Sequence, residues 1–151
     1  MPAPGAPASK IGWVPVKDGK LPANAIVAGG SAAAPIRICG DRMRDGQVHP
    51  GKEFRGNCYI PSGDKELKSA VVAVLAGEGA TWVAAKAGSP APAGAVPSGG
   101  VAGGVPLNFC CAKLSDDQLH AGKEWRGRCY IGFGGKELQL ESYEVLTSGT
   151  P

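Results

Sequence analysis

The stretch HPGKEFRGNCYIPSGDKEL (His49–Leu67) returns as HAGKEWRGRCYIGFGGKEL (His120–Leu138), each residue 71 positions further on. Between Cys39–Leu67 and Cys110–Leu138, sixteen of twenty-nine positions are identical. Eight of those sixteen are polar or charged: Asp45, Gln47, His49, Lys52, Glu53, Arg55, Lys65 and Glu66. Packing alone would hold apolar positions most tightly, so the retained charges point to a polar function or to buried ion pairs. A duplicated module also predicts two similar surfaces rather than one active site.

Outside this block the chain reads as short strands separated by turns. Ile11–Val16 and Leu21–Val27 are expected strands, followed by a Gly29-Gly30 turn. Pro35–Cys39 alternates apolar and polar residues as a half-buried strand does. Cys58–Ile60 is another strand, and Val71–Leu75 closes the first unit. The second copy follows the same plan in Thr81–Ala84, Ala91–Gly100, Val105–Cys110 and Ser142–Leu146, with Trp13 and Trp82 as core anchors. Much of the content of 24 glycines and 13 prolines is concentrated in a tail and a central stretch; the rest sits between short apolar runs, which means many turns joining many strands. No segment sustains a helical period. The expected fold is all-β, with a disordered tail over 1–10, a first repeat over 11–75, a second over 81–147, and a seam at Ala76–Ala80. Each repeat alone would bury too little apolar surface to stand, so the halves are expected to pack as one unit.

Composition excludes several classes. A net charge of +3 with scattered basic residues argues against nucleic acid. No apolar run approaches the ~18 residues of a membrane span. The opening MPAPGAPASK lacks the apolar core of a secretory signal, so the expected location is cytoplasmic, or outside after release without a classical signal peptide. Four cysteines follow the repeat (Cys39 with Cys110, Cys58 with Cys129) and Cys111 is extra. In such a chain buried reduced thiols are expected, with a disulfide inside each repeat or a metal site as alternatives. The order Cys39, His49, Cys58 matches no familiar zinc spacing, and no metal or other cofactor is expected. Nucleophile-elbow, P-loop and H-E-x-x-H motifs are all missing. His49 and His120 read as satisfied loop residues, and the chain as a non-enzyme.

The candidate site is a lysine set on a glycine. Lys52 and Lys123 follow Gly51 and Gly122 and precede Glu53 and Glu124. An ammonium donates hydrogen bonds and a carboxylate accepts them, which suits the vicinal hydroxyls of a sugar; the alternative is a surface ion pair of little energetic weight. Gly51 and Gly56 suit turns or bulges. Tyr59, alternating with Cys58 and Ile60, would face a groove while they face the core. Glu66 would accept turn amides or pair with Arg55.

The order of motifs resembles the DM9 repeat family. The first copy carries Gly12-Trp13-Val14, then Gly19 to Gly29, Pro50-Gly51-Lys52, Cys58-Tyr59-Ile60 and Lys65-Glu66. The second carries Trp82-Val83, Gly122-Lys123, Cys129-Tyr130-Ile131, Gly134-Gly135-Lys136-Glu137 and Tyr143-Glu144-Val145-Leu146. Tandem DM9 proteins include mannose-specific invertebrate lectins. The resemblance implies an all-β fold with strands exchanged between repeats, and one site per repeat for mannose-containing glycans. It also implies that Lys52 and Lys123 touch the sugar. Weak single sites would need each other, or a homodimer, to gain avidity on a glycan array. The chain departs from the lectins after the A-G turn, where they carry an acidic sugar contact. Gly30–Ala33 and Gly100–Gly103 hold no carboxylate, and Pro50 becomes Ala121. Glu53 and Glu124, or Asp45 and Asp116, are the expected replacements for the missing acceptor. A structural or interaction module that kept the fold and lost the sugar is the rival reading.

Overall fold

The structure, a computed structural model, describes residues 10–148, so the expected tail lies outside the described residues apart from Lys10. The first half contains β1 (Gly12–Pro15), β2 (Val27–Gly30), β3 (Pro35–Arg42), β4 (Val48–Phe54), β5 (Asn57–Ser62), β6 (Lys65–Ala70) and β7 (Ala73–Ala76). The second half repeats the set as β8 (Ala80–Lys86), β9 (Pro97–Ala102), β10 (Val105–Lys113), β11 (Leu119–Trp125), β12 (Arg128–Phe133), β13 (Lys136–Leu140) and β14 (Ser142–Ser148). The fold is all-β, a curled antiparallel half-barrel sheet. Among the described residues no helix is long and apolar enough to cross a membrane.

The strand order reads alike from both ends. It runs β1-β7-β3-β4-β5-β6 inward through the first half and β8-β14-β10-β11-β12-β13 through the second, with β2 and β9 pairing off β3 and β10. The halves join where Lys65 of β6 opposes Lys136 of β13. Two reciprocal bonds flank that pair, Glu66 N–H to the Gly135 carbonyl and Glu137 N–H to the Asp64 carbonyl. The expected exchange of strands between repeats is therefore corrected. Apart from the β6–β13 junction, each ladder among the described residues stays within one half. The reason is local: β7 returns between β1 and β3, and β14 between β8 and β10, so those edges find partners in their own half. What the halves exchange is side chains.

The main core lies between them, where Ile36, Ile38 and Leu75 of the first half meet Phe109, Ala121 and Leu146 of the second. Trp13 meets Phe109 edge-on at 5.4 Å and donates its indole N–H to the Ser98 carbonyl at 2.8 Å. Smaller clusters around Cys39–Cys58 and Cys110–Cys129 serve each half alone.

The segment Leu21–Val27 is not a strand. Ala25 N–H closes a turn on the Pro22 carbonyl, and the strand is Val27–Gly30, running through the glycines expected to turn. Those glycines serve close approach instead: a Cβ on Gly29 would lie 1.9 Å from the Leu119 carbonyl oxygen, and one on Gly100 2.1 Å from that of Val48.

The thiol expectation is also corrected. Cys39 is bonded to Cys58 and Cys110 to Cys129, leaving Cys111 free and buried. The paired cysteines lie on β3 and β5, which flank β4, yet their Cα atoms are 6.0 Å apart. Strands two apart in a flat sheet would be separated by about 9–10 Å, so the sheet folds sharply at β4. Gly51 opposes Cys39 at that fold, where a Cβ would sit 2.2 Å from the Tyr59 carbonyl oxygen. The hydrophobic pattern of the sequence does not encode this fold-over.

Candidate functional site: two pockets that cross the halves

Side chains alternate along a strand, and β4 uses both of its faces. Lys52 and Phe54 point into one pocket, while His49 points into another. β11 does the same with roles reversed: His120 joins Lys52, and Lys123 and Trp125 join His49. The first pocket, of about 390 Å³, is lined by Lys52, Phe54, Tyr59 and Glu66 of the first half and by Asp116, Gln118, His120 and Phe133 of the second. The second, of about 230 Å³, is lined by Lys123, Trp125, Tyr130 and Glu137 with His49 and Gly63 from the other half. Neither half can build a pocket alone.

Each pocket contains a chain of three polar groups. Lys52 Nζ lies 2.8 Å from His120 Nδ1, and His120 Nε2 lies 2.8 Å from an Asp116 carboxylate oxygen. In the second pocket Lys123 Nζ lies 3.0 Å from His49 Nδ1, and His49 Nε2 lies 2.8 Å from Asp45. A carboxylate only accepts, so each Nε2 must carry the proton and donate it. Each Nδ1 is then the acceptor, and the lysine donates to it. This hydrogen-bond order requires a neutral imidazole.

The aspartates are fixed by their own turns, since Asp45 accepts the Gln47 N–H and Asp116 the Gln118 N–H. The Gln47 amide and the His49 ring hold the Asp45 carboxyl below its ordinary range. Burial pushes Asp116 upward, but hydrogen bonds from His120 and Gln118 outweigh it and the net direction is down. Burial lowers His120 and also lowers Lys52, against the opposing pull of Glu66 and Asp116. Lys123 is lowered by burial in the same way, opposed by Glu137 and Asp45. Glu137 is raised by burial, with Lys123 opposing.

The predicted site residues are only partly brought together. Lys52 with Asp116, and Lys123 with Asp45, do converge, each pair across the halves. Glu53 and Glu124 do not join the lysines that precede them, because neighbours on a strand face opposite ways. Glu53 accepts the Gly56 N–H at 2.9 Å and pairs with Arg37 at 3.3 Å. Glu124 accepts the Gly127 N–H at 3.0 Å and the Asn108 amide at 2.8 Å. Both clamp two-residue hairpins whose turn residues, Arg55-Gly56 and Arg126-Gly127, have positive φ throughout, as tight hairpins require.

The carboxylates beside the lysines are instead Glu66, 3.9 Å from Lys52, and Glu137. Glu66 also accepts a turn amide, but the amide is that of Gly135 in the other half, at 2.9 Å. Tyr59 faces the pocket as its alternation implied. Gly30 and Ser31 line the first pocket and Ala102 the second, and none of them carries a carboxylate. The histidines lie in β4 and β11 rather than in loops. Phe133 was not legible as a site residue: it edges His120 at 5.3 Å and lies 5.3 Å from the Lys52 ammonium, whereas its counterpart in the first copy is Ser62. Among the described residues no cluster of three or more His, Cys, Asp or Glu is arranged to hold a metal ion.

No protein-family profile and no curated protein sequence matches this chain. Among solved structures it is similar to the nematode sperm cell motility protein MFP2B, with a TM-score of 0.57 at 12% identity. That match covers 97% of this chain and 47% of the other, so the chain spans about half the length of that protein. At this identity the likeness speaks to the fold alone.

Proposed function

We propose that the protein is a non-enzymatic, DM9-type lectin that binds mannose-containing glycans through its two crossed pockets. The observation that supports this reading is the composition of each pocket. A buried ammonium, carboxylates from both halves and aromatic walls line one concave space: Lys52, Glu66 and Asp116 with Phe54, Tyr59 and Phe133 in the first pocket. Ammonium and carboxylate serve sugar hydroxyls as donor and acceptor, and aromatic faces suit the apolar faces of a pyranose ring. Glu66 and Asp116 take the acceptor role missing after the A-G turn, as Glu137 does in the second pocket, where Asp45 stands behind His49. The two disulfides favour release from the cell over residence in a reducing cytoplasm. Two pockets on one chain supply avidity, which a homodimer would extend.

Glycan-array binding of wild type against the Lys52→Ala/Lys123→Ala double variant tests this: mannose-type signals should vanish in the variant. Equal binding by both proteins sinks the site assignment. The second reading is a structural or interaction module. It is favoured by the absence, among the described residues, of any buried side-chain polar atom without a partner, so the crossed chains are complete with no ligand. Calorimetry with mannose and mannan decides between them, since no heat at millimolar sugar selects the module.

A further inference from the structure

The amines of Lys52 and Lys123 are in unusual company. A lysine normally keeps its ammonium in water or against a carboxylate. Here the hydrogen bond of each amine goes to the acceptor nitrogen of a neutral imidazole, at 2.8 Å for Lys52 and 3.0 Å for Lys123. The nearby carboxylate of Glu66 stands at 3.9 Å from Lys52 and already accepts the Gly135 amide. Each imidazole is oriented by an aspartate at 2.8 Å. A nucleophile within reach of a base that a third group orients is the arrangement of an activated nucleophile. The lysines also line cavities large enough to admit a small molecule, and Phe133 gives the first an apolar wall.

We propose that Lys52 and Lys123 are reactive amines that capture aldehydes as reversible imines, with His120 and His49 as their respective bases. The ligand class is a small aldehyde, either a short α-hydroxyaldehyde or the open-chain form of a reducing sugar. The amine nitrogen attacks the carbonyl carbon and a C–N bond forms. The proton lost by nitrogen moves to the imidazole Nδ1, where the aspartate stabilises the imidazolium. The imidazolium returns that proton to the oxygen, giving the neutral carbinolamine; the second N–H proton then passes by the same imidazole to the hydroxyl, which leaves as water as the C=N bond forms. Aldehyde and amine become imine and water, and no oxidant or reductant is consumed. Burial favours the neutral, nucleophilic amine at both positions. This chemistry stands on the Asp–His–Lys geometry and does not rest on sugar recognition.

The full chain, incubated with glycolaldehyde and sodium cyanoborohydride at neutral pH, reports the capture by peptide mass mapping, because the hydride fixes each imine as a secondary amine. Lys52 and Lys123 should be modified ahead of Lys113, although the Lys113 side chain is 65% exposed and theirs are buried. H120Q should slow Lys52 and spare Lys123, and H49Q should do the reverse. The untouched lysine in each variant, with a melting curve, reports whether the fold survives. If a variant does not fold, the order of labelling in wild type decides alone. Labelling that follows exposure, with Lys113 first, overturns the proposal, as does equal slowing of both lysines in one folded variant.

Mannose and methyl α-mannoside separate the aldehyde sources, since only the first opens to an aldehyde; adducts from glycolaldehyde but not from mannose assign the short aldehyde. Excess methyl α-mannoside should shield both lysines if the pockets also hold sugar. Fast but unshielded labelling keeps the amine chemistry and removes the lectin reading. Bound mannoside without fast labelling does the opposite.

Discussion

Glu124→Ala separates a structural carboxylate from a binding one. Glu124 is 4% exposed and satisfies two buried donors, the Asn108 amide at 2.8 Å and the Gly127 N–H at 3.0 Å. Truncation orphans both, at about 1–3 kcal/mol each. It also relieves the desolvation of the carboxylate itself, an opposing effect of the same order, so a net loss of about 2–3 kcal/mol is expected. For a chain of this size each kcal/mol lowers Tm by about 2–4 °C, giving a fall of roughly 4–12 °C in a calorimetric or circular-dichroism melt. Glu124→Gln keeps one acceptor and should lose about half as much. Ligand binding at the second pocket, measured well below the melt, should be unchanged in both variants, because Glu124 points away from Lys123. An unchanged Tm together with loss of binding at that pocket would refute the argument and return Glu124 to the site.

Two other outcomes test other links. Stability should fall on acidification in two stages. The folded-state pKa of His120 lies below its ordinary 6.5, so the unfolded chain takes up that proton first and stability declines as pH drops below 6.5. Asp45 and Asp116 are lowered from 3.8, so the stability they confer is present above that value and is lost as pH falls through their folded pKa values; denaturant midpoints across this range check both stages, and a flat profile between pH 7 and 4 would contradict the neutral-imidazole assignment. Gly122→Ala places a Cβ 2.0 Å from the Tyr130 carbonyl oxygen at the sharp fold in β11. It should cost upwards of about 4 kcal/mol and prevent Cys110–Cys129 from closing, so thiol titration should rise from the single free Cys111 to three.

The repeat made the architecture legible. β7 ends at Ala76 and β8 begins at Ala80. The lysines were found because their charge recurs on a glycine. Their partners were not, because each lies in the other half: Lys52 meets His120 at a separation of 68 residues, and Lys123 meets His49 at 74. Local spacing cannot report such contacts. It suggested Glu53 and Glu124 as the near neighbours, and strand alternation is what sends those carboxylates to the opposite face. The disulfide within each repeat stood only as an alternative to reduced thiols. Cysteines on strands two apart meet only if the sheet folds, and nothing in the polar pattern says that it does. In hindsight Gly51 and Gly122, each standing between its two cysteines in both copies, are the signal that was available.

The crossing also explains what the two copies share and where they differ. Aspartate, histidine, lysine and the second glutamate recur because each chain of polar groups draws on both copies, so a loss in either would break a pocket assembled with the other. The walls are under no such reciprocal constraint. Phe133 and Phe54 line the first pocket, where Ser62 and Trp125 are their counterparts, and Trp125 is held by its indole bond to the Ala102 carbonyl and by Arg126 over its ring. The pockets consequently share one polar chemistry but differ in shape, about 390 Å³ against 230 Å³. A chain built this way need not carry two equal sites: on the proposed reading, the common Asp–His–Lys core would fix the kind of group each pocket takes, and the unpaired aromatic positions how much else of the ligand each could hold.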